Sequence, residues 1–264
     1  MRRTSFGGRF VSAIAAVAAA LAGCSSTVTP PEHSPARPAA PPHFALVDSL
    51  LRDLRPQDTN YQHKPTLVAW AGDPDHERAE CRADCSGLVT AVLARAYSLS
   101  DADVADLFGA KRPRARNFHD AIAAARAFRR VAFADALPGD VLAISFPAGS
   151  EDTGHVMFVA SPPRARDATP PIVPGTTQWE LDVVDSTGSP HGPSDPRYSK
   201  TGRPRTGAGR GTIRIYTQAS GAIAGYAWST GAKSEFRAQE TRDAALGRFV
   251  PPKAGAIATV SSPR

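Results

Sequence analysis

Residues 84–97 read DCSGLVTAVLARAY. Asp84 is a candidate N-cap, because its side chain can accept a hydrogen bond from an exposed backbone N–H of a first helical turn. Four apolar residues then recur at helical spacing on one face: Leu88, Val89, Val92 and Leu93. The sequence therefore predicts a helix that begins at Cys85 and runs to about Tyr97.

The predicted helix places Cys85 in its first turn. Unpaired N–H groups and the helix dipole favour an anion at that position, and the thiolate is the nucleophilic form of cysteine. A lone cysteine is otherwise most often inert packing, so a catalytic role needs a base in reach.

His155 and Asp185 are the candidate partners of this thiol. His155 heads a predicted strand and follows Gly154, which permits close approach, while Asp185 closes a later strand and can orient an imidazole. Two structural interpretations stay open: His155 as a satisfied histidine at the core edge, and Asp185 as the cap of the turn at 185–188. His191 is an alternative partner, less favoured because it lies among Gly and Pro.

Four segments in this order resemble the NlpC/P60 cysteine peptidases, and the resemblance covers roughly Tyr61 to Tyr216. Asp84-Cys85-Ser86-Gly87-Leu88-Val89 is similar to their nucleophile motif. The segments similar to their first sheet strand, histidine strand and third polar residue are Pro138-Gly139-Asp140-Val141, Gly154-His155-Val156-Met157-Phe158-Val159 and Val183-Val184-Asp185-Ser186.

The resemblance implies an α+β, reduced papain-like fold with N-terminal helices packed on an antiparallel sheet. It also implies a peptidoglycan hydrolase that cuts amide bonds in stem peptides, often next to a D-amino acid. Cys85, His155 and Asp185 would be catalytic, Tyr61 and Ser86 would contact substrate, and no metal or organic cofactor is implied. Two other functions remain: a non-catalytic lipoprotein that binds wall peptides or a partner, and an acyltransferase on the same fold.

The N-terminus has the pattern of a secretory signal, with a basic Met1–Arg9 and an apolar Phe10–Ala22. Residues 21–24, Leu-Ala-Gly-Cys, resemble the bacterial lipobox, which implies that 1–23 are removed and that Cys24 is lipidated. Ser25 then favours sorting to the outer membrane, facing the periplasm. Residues 24–43 are rich in proline and are interpreted as a tether from a lipid-anchored end to the domain.

The remaining chain is interpreted as a catalytic domain over 44–250 with a disordered tail at 251–264. Helices are expected at 44–54, 85–97 and 100–108, with another capped by Asn117 that turns Phe118, Ile122 and Ala125 inward. Strands are expected at 141–146, 155–160, 181–185, 212–216 and 223–228. Residues 55–83 show no clear period, and 161–178 and 187–210 are expected to be long loops.

The net charge of the chain narrows the classes of function that the protein can have. The 264 residues carry 31 Lys and Arg against 25 Asp and Glu, and without Arg2, Arg3 and Arg9 the excess falls from six to three. This mild excess does not favour nucleic-acid binding. The densest basic run, Lys111 to Arg116, is interpreted as a solvated loop before a helix, since no aromatic residues interleave with it.

Three cysteines provide no disulfide framework. Cys81 is interpreted as a small structural residue, although its spacing from Cys85 suggests a redox switch in which a disulfide would block the nucleophile. The cluster Asp75, His76 and Glu77 matches no strong metal-ligand spacing and is interpreted as a solvated loop.

Overall fold

A computed structural model describes residues 39–252 of the chain. The chain divides into two units, 1–38 and 39–264, and the described residues belong to the second. The predictions of a signal peptide over 1–23, of lipidation at Cys24 and of a tether as far as residue 38 lie outside the described residues. So does the predicted tail from residue 253 onward.

Four α-helices occupy the first part of the described chain. They are α1 (Pro42–Asp53), α2 (Cys85–Tyr97), α3 (Asp101–Phe108) and α4 (Ala115–Ala123), and a single 3-10 turn covers Phe133–Asp135. The predicted caps of α2 and α3 are confirmed: the Asp84 side chain accepts from the Gly87 N–H, and Ser100 forms a capping box with Asp103.

The tether boundary at residue 43 is wrong, because α1 already begins at Pro42. Proline is favoured in the first helical turn, where its missing N–H costs no hydrogen bond. His43 is buried rather than part of a linker. Its Nδ1 lies 2.7 Å from the Tyr97 hydroxyl and its Nε2 lies 2.7 Å from the Gly139 carbonyl oxygen. His43 therefore fixes the start of the domain against the turn at 137–140.

The predicted start of α4 is also wrong. The N-cap is Arg114, and Asn117 lies at the third helical position, where its Oδ1 accepts from the Arg114 N–H at 2.9 Å. Phe118 and Ile122 face inward as predicted, whereas Ala125 lies beyond the helix, exposed and with a positive φ of 51°. A side chain that accepts from the capping residue resembles a cap in sequence, which accounts for the error.

Twelve strands complete the described domain. In chain order, β1 to β12 are Thr59–Asn60, Leu67–Ala69, Glu80–Arg82, Phe128–Arg130, Val141–Ser145, Gly154–Val159, Arg164–Ala165, Thr176–Thr187, Gly207–Gln218, Ile223–Ala227, Phe236–Ala238 and Asp243–Phe249.

Nine of these strands form one antiparallel sheet, with the order β11-β10-β9-β8-β6-β5-β12-β4 and with β7 paired to β8. The other three form a small sheet of order β1-β3-β2, in which β1 and β3 are parallel. The fold is thus a mixed α+β domain with helices packed on a large antiparallel sheet, as the order of elements in the sequence predicts.

Two hydrophobic cores cover the two faces of the large sheet. Val141 and Ala143 of β5 belong to the core that includes the helices, whereas Leu142 and Ile144 belong to the core on the opposite face. Because both faces are buried, β5 and β6 have the continuous apolar sequences of central strands.

The predicted loops at 161–178 and 187–210 are shorter than expected. β8 begins at Thr176 and β9 at Gly207, so both strands extend well beyond their apolar centres. Part of the first loop is held by Arg214, a buried side chain of β9 that donates to the carbonyl oxygens of Thr169 and Pro170 at 2.9 and 2.7 Å.

Several strands have no signal in the sequence. The segment 55–83 contains β1, β2 and β3, each of only two or three residues. The last strand, β12, lies between β5 and β4 although it is the last element of the domain in sequence. Within residues 39–252, no helix has the length and apolarity required to cross a bilayer.

Candidate active site

Cys85 is the first residue of α2 and lies at the base of a cleft, with 5% of its surface exposed. The helix begins at this point because Asp84 caps it: Oδ1 accepts from the Gly87 N–H at 2.6 Å and from the Ser86 hydroxyl at 3.0 Å. The thiol therefore sits at the positive end of the helix dipole, as the sequence predicts.

His155, the second residue of β6, lies near enough to Cys85 for the charge of the sulfur to act on the imidazole. Its Nε2 is 2.7 Å from Oδ2 of Asp185, so Nδ1 is the ring nitrogen left for the thiol. Burial lowers the pKa of His155, but the charge of Cys85 and the hydrogen bond to Asp185 outweigh it and raise the pKa to about 10. The raised pKa favours the imidazolium form of His155 at neutral pH.

The backbone before His155 requires glycine. Gly154 has φ of +143°, and a Cβ at this position would lie 1.9 Å from the Ile144 carbonyl oxygen. The close approach predicted for Gly154 is therefore real, and it arises from the pairing of β6 with β5.

Asp185 lies inside β8 and has no exposed surface. Its Oδ2 is shared by two histidines, His155 at 2.7 Å and His191 at 2.9 Å, and its Oδ1 accepts from Arg197 Nη2 at 2.9 Å. Burial raises the pKa of this carboxyl, but the nearby His191 and Arg197 lower it well below its usual range. Asp185 is thus an ionised orienting group, and its interpretation as a turn cap is wrong.

His191 contacts the carboxylate of Asp185 and not the ring of His155. Its Nδ1 lies 2.9 Å from the Trp228 carbonyl oxygen, and its backbone N–H donates to Asp195 Oδ2 at 2.9 Å. Both ring nitrogens therefore face oxygen acceptors. From the sequence, His191 is the alternative to Asp185 as the third residue of the site. The structure places Asp185, and not His191, against the ring of His155.

Arg197 holds this group of residues together. Its guanidinium donates to Asp185, to Asp195 Oδ2 at 2.8 Å and to the Gly207 carbonyl oxygen at 2.7 Å. The charges of Asp185 and Asp195 raise its pKa against the effect of burial, so it stays protonated. Two buried carboxylates are in this way paired with one buried guanidinium and with histidine.

Two glycines of β9 make room for these side chains. A Cβ at Gly211 would lie 2.2 Å from Cδ2 of His191, and a Cβ at Gly209 would lie 2.8 Å from Nε of Arg197. Gly209 is the residue that β9 pairs with Asp185. The glycine-rich start of β9 therefore gives His191 and Arg197 access to the carboxylate.

Trp228 packs on both histidines. Its ring lies 4.9 Å from the ring of His155 in an edge-to-face arrangement and 4.2 Å from the ring of His191. The indole N–H donates to the Ser189 carbonyl oxygen at 2.8 Å, which fixes the ring. An aromatic wall therefore restricts the rotamers of the imidazole that faces Cys85.

The cleft above Cys85 has a volume of about 510 Å³. Three loops surround it: residues 61–66 between β1 and β2, residues 109–114 between α3 and α4, and residues 146–153 between β5 and β6. The other candidate site residues also lie here. Tyr61 lines the cleft and Ser86 lies beside Cys85, so both predicted substrate-binding residues border the space in which a substrate would lie.

Tyr61 is close to the ionisable groups of the cleft. Burial raises the pKa of its phenol, and the charges of Cys85, Asp84, Asp152 and Asp185 raise it further. Tyr61 therefore remains a neutral donor, which suits hydrogen bonding to a substrate oxygen.

Cys81 and Cys85 are both free thiols. Cys81 lies in β3, fully buried in the hydrophobic core, and burial raises the pKa of its thiol to about 12. Its structural role is confirmed, and the disulfide proposed from spacing is not formed. Within residues 39–252, no group of three or more His, Cys, Asp or Glu side chains is arranged to hold a metal ion.

Sequence reasoning missed Arg197 and Trp228. Arg197 lies among Pro, Gly and Ser in an irregular segment, where nothing marks it as buried. Trp228 directly follows β10, and its position at a strand end is a weak signal. A stronger signal was the glycine run Gly207, Gly209 and Gly211, because alternating glycines on one strand face indicate that other groups approach closely.

These contacts define a cysteine–histidine–aspartate site in an α+β domain, on a helix N-terminus and two neighbouring strands. The chain is 34% identical over 201 residues to "Uncharacterized protein R653" of Acanthamoeba polyphaga mimivirus, an alignment that covers 73% of this chain and 88% of the relative. The chain therefore belongs to the same family as this mimivirus protein. No protein-family model and no solved structure matches the chain.

Proposed function

We propose that the protein is a cysteine peptidase of the NlpC/P60 type, with a reduced papain-like fold, that hydrolyses amide bonds in peptidoglycan stem peptides. The observation that carries this proposal is a buried imidazole, His155, that lies near enough to Cys85 to be acted on by its charge and whose Nε2 is held by the buried Asp185 at 2.7 Å. A nucleophile, a base and an orienting carboxylate in this order are the requirements of thiol-based acyl transfer.

The first half of the proposed reaction forms a thioester. The Cys85 thiolate attacks the carbonyl carbon of the peptide, and negative charge develops on the carbonyl oxygen. The N–H of Cys85, at the start of α2, has no partner within the helix and is a candidate donor to that oxygen. The C–N bond then breaks as His155 gives its proton to the leaving amine.

The second half releases the acyl group. Neutral His155 takes a proton from water, and the resulting hydroxide attacks the thioester carbonyl carbon. The C–S bond breaks, the thiolate of Cys85 returns, and the acyl group leaves as a carboxylic acid that loses its proton to solvent, with the imidazolium restored. Asp185 stays ionised throughout and keeps Nε2 of His155 as a donor, which leaves Nδ1 directed to the thiol.

The architecture supports the proposed fold type. α2, which carries the nucleophile, packs against β6 and β8, which carry the histidine and the carboxylate. A helix start facing two antiparallel strands is the arrangement expected for a reduced papain-like domain.

The proposal is tested on purified peptidoglycan. Wild-type protein and the Cys85→Ala, His155→Ala and Cys81→Ala variants are incubated with it, and soluble products are identified by mass spectrometry. We expect amide-cleaved fragments from wild type and from Cys81→Ala, and at least a hundredfold less from the other two variants. Equal product from Cys85→Ala, with its folding verified by circular dichroism, would exclude the mechanism.

We also propose that the domain is anchored to the bacterial envelope through a lipid on Cys24, at the outer membrane and facing the periplasm. Several acyl chains hold a protein firmly at a bilayer, whereas one chain binds only marginally. Labelling of cells with a palmitate analogue should mark the wild-type protein and not Cys24→Ser. Label retained in Cys24→Ser would contradict the anchor.

A further inference from the structure

The cleft above Cys85 carries charges of both signs on separate loops. Lys64 comes from the loop 61–66 and Arg112 and Arg114 come from the loop 109–114, whereas Glu151 and Asp152 come from the loop 146–153. All five side chains belong to exposed residues. Arg112 and Arg114 of the basic run lie in a loop before a helix, as predicted, and in addition line the cleft, whereas Arg116 lies in α4.

Most of these charges are not used within the protein. Asp84, the acid beside the nucleophile, is occupied: it caps α2, and its Oδ2 lies 3.1 Å from His63 Nδ1 and 3.7 Å from Arg112 Nη2. Among residues 39–252, by contrast, no ion pair is formed by Lys64, Arg114, Glu151 or Asp152. Two cations and two anions thus face the cleft without a partner.

The two signs lie on different loops of the cleft, and no ion pair joins them. Asp152 lies near enough to Tyr61 for its charge to act on the phenol, and Glu151 and Asp152 come shortly before His155 in sequence. A substrate with only one sign of charge would be attracted by one wall and repelled by the other. A substrate with both signs would be attracted by both.

Resting on the proposed function, we propose that the cleft selects zwitterionic peptides, with a free carboxylate held by Lys64 and Arg114 and a free ammonium held by Glu151 and Asp152. Stem peptides contain both groups. The ammonium can be a peptide terminus or the side chain of a diamino acid, and the chemistry of recognition is the same for both.

The proposal is tested by binding, which does not depend on cleavage. A stem peptide from purified wall is prepared unmodified, acetylated at its amines, amidated at its carboxylates, and blocked at both. Isothermal titration calorimetry with the Cys85→Ala protein should show about three- to tenfold weaker binding for each singly blocked form, with a further loss when both are blocked. The differences should shrink in 0.5 M NaCl, because salt screens exposed charges.

Double variants test which pair of residues binds the carboxylate of the peptide and which pair binds its ammonium. Lys64→Gln with Arg114→Gln should remove the effect of amidation and keep that of acetylation, and Glu151→Gln with Asp152→Asn should do the reverse. Lys111→Gln with Glu240→Gln, two exposed residues that do not line the cleft, is the matched control and should keep both effects. Acetylation of the terminal amine alone and of the side-chain amine alone identifies the bound ammonium, and a loss from either supports the proposal.

The outcomes separate the two proposals. Equal affinity for all four forms, or no binding of the unmodified peptide, overturns the zwitterion proposal even if wild type cleaves the wall. The expected pattern of affinities without any cleavage by wild type supports the recognition and overturns the peptidase.

Discussion

At the scale of single residues, Asp185 is the group on which the site depends most. It is fully buried and accepts hydrogen bonds from His155, His191 and Arg197. A buried carboxylate is tolerated only when it is paired, and removal of one partner leaves an uncompensated charge. The orientation of the imidazole and the stability of the domain therefore rest on the same atoms.

Arg197→Met should destabilise the domain by about 3–5 kcal/mol, because it leaves two buried carboxylates without their guanidinium. The free energy of unfolding is measured by urea titration followed by circular dichroism. Arg203→Met, an exposed arginine of the same segment, is the control and should change stability by less than about 0.5 kcal/mol. Similar losses for the two variants would contradict the role given to Arg197.

The raised pKa of His155 makes a pH-dependent contribution to stability. A folded pKa of about 10, above the ordinary value of 6.5, stabilises the protein fully below pH 6.5, and this contribution is lost as the pH rises through 10. In Cys85→Ala the largest cause that raises the pKa is gone, so the pKa of His155 should fall. NMR titration of the imidazole measures it, and an unchanged pKa in the variant would show that the thiol does not act on His155.

At the scale of elements, the site combines one helix start with three strands. α2 carries Cys85, β6 carries His155 and β8 carries Asp185, while the glycines of β9 give the supporting side chains access. A substitution in β9 should therefore disturb the arrangement of the site even though it contacts neither Cys85 nor His155.

Gly211→Ala should destabilise the domain by about 1–3 kcal/mol, because its Cβ would overlap the ring of His191. The displaced ring should also lower the rate of the proposed peptide cleavage. Gly231→Ala is the matched control, since its Cβ would lie an ordinary 3.5 Å from Ser229 Oγ. Urea titration and wall digestion measure both effects, and wild-type behaviour of Gly211→Ala would contradict the crowding.

The sequence predicted elements where the signal is local. The cap and apolar face of α2, the Ser100 cap of α3 and the turn at 137–140 depend on neighbouring residues, and all are found. The ends of β8 and β9 and the existence of β12 depend on pairing between distant segments, so no local pattern marks them. For the same reason Cys85, His155 and Asp185 could be selected in advance, whereas Arg197 could not.

At the scale of the whole molecule, β12, the last strand of the domain, packs against the helices from the start of the domain. Phe249 packs against Tyr97 of α2, Phe108 of α3 and Phe128 of β4, with ring centroids 5.1, 6.3 and 5.5 Å apart. This aromatic cluster fixes the helices on the sheet and thereby holds α2 opposite β6.

Phe249→Ala should therefore cost about 3–5 kcal/mol of unfolding free energy, through the lost burial and the cavity left behind. Val250→Ala, at the neighbouring residue with 52% of its surface exposed, should cost less than about 0.5 kcal/mol. Thermal unfolding of the two variants tests the difference, and comparable melting temperatures would argue against a long-range role of β12.

The most direct measurement of the central claim is the rate at which iodoacetamide alkylates Cys85 at pH 7, followed by intact mass and peptide mapping. Of Cys81 and Cys85, only Cys85 should react, because Cys81 is protected in the core, and its rate should fall at least tenfold in His155→Ala, in which no imidazolium stabilises a thiolate. An equal rate in wild type and His155→Ala would mean that the imidazole does not activate Cys85, and the peptidase mechanism would then be wrong.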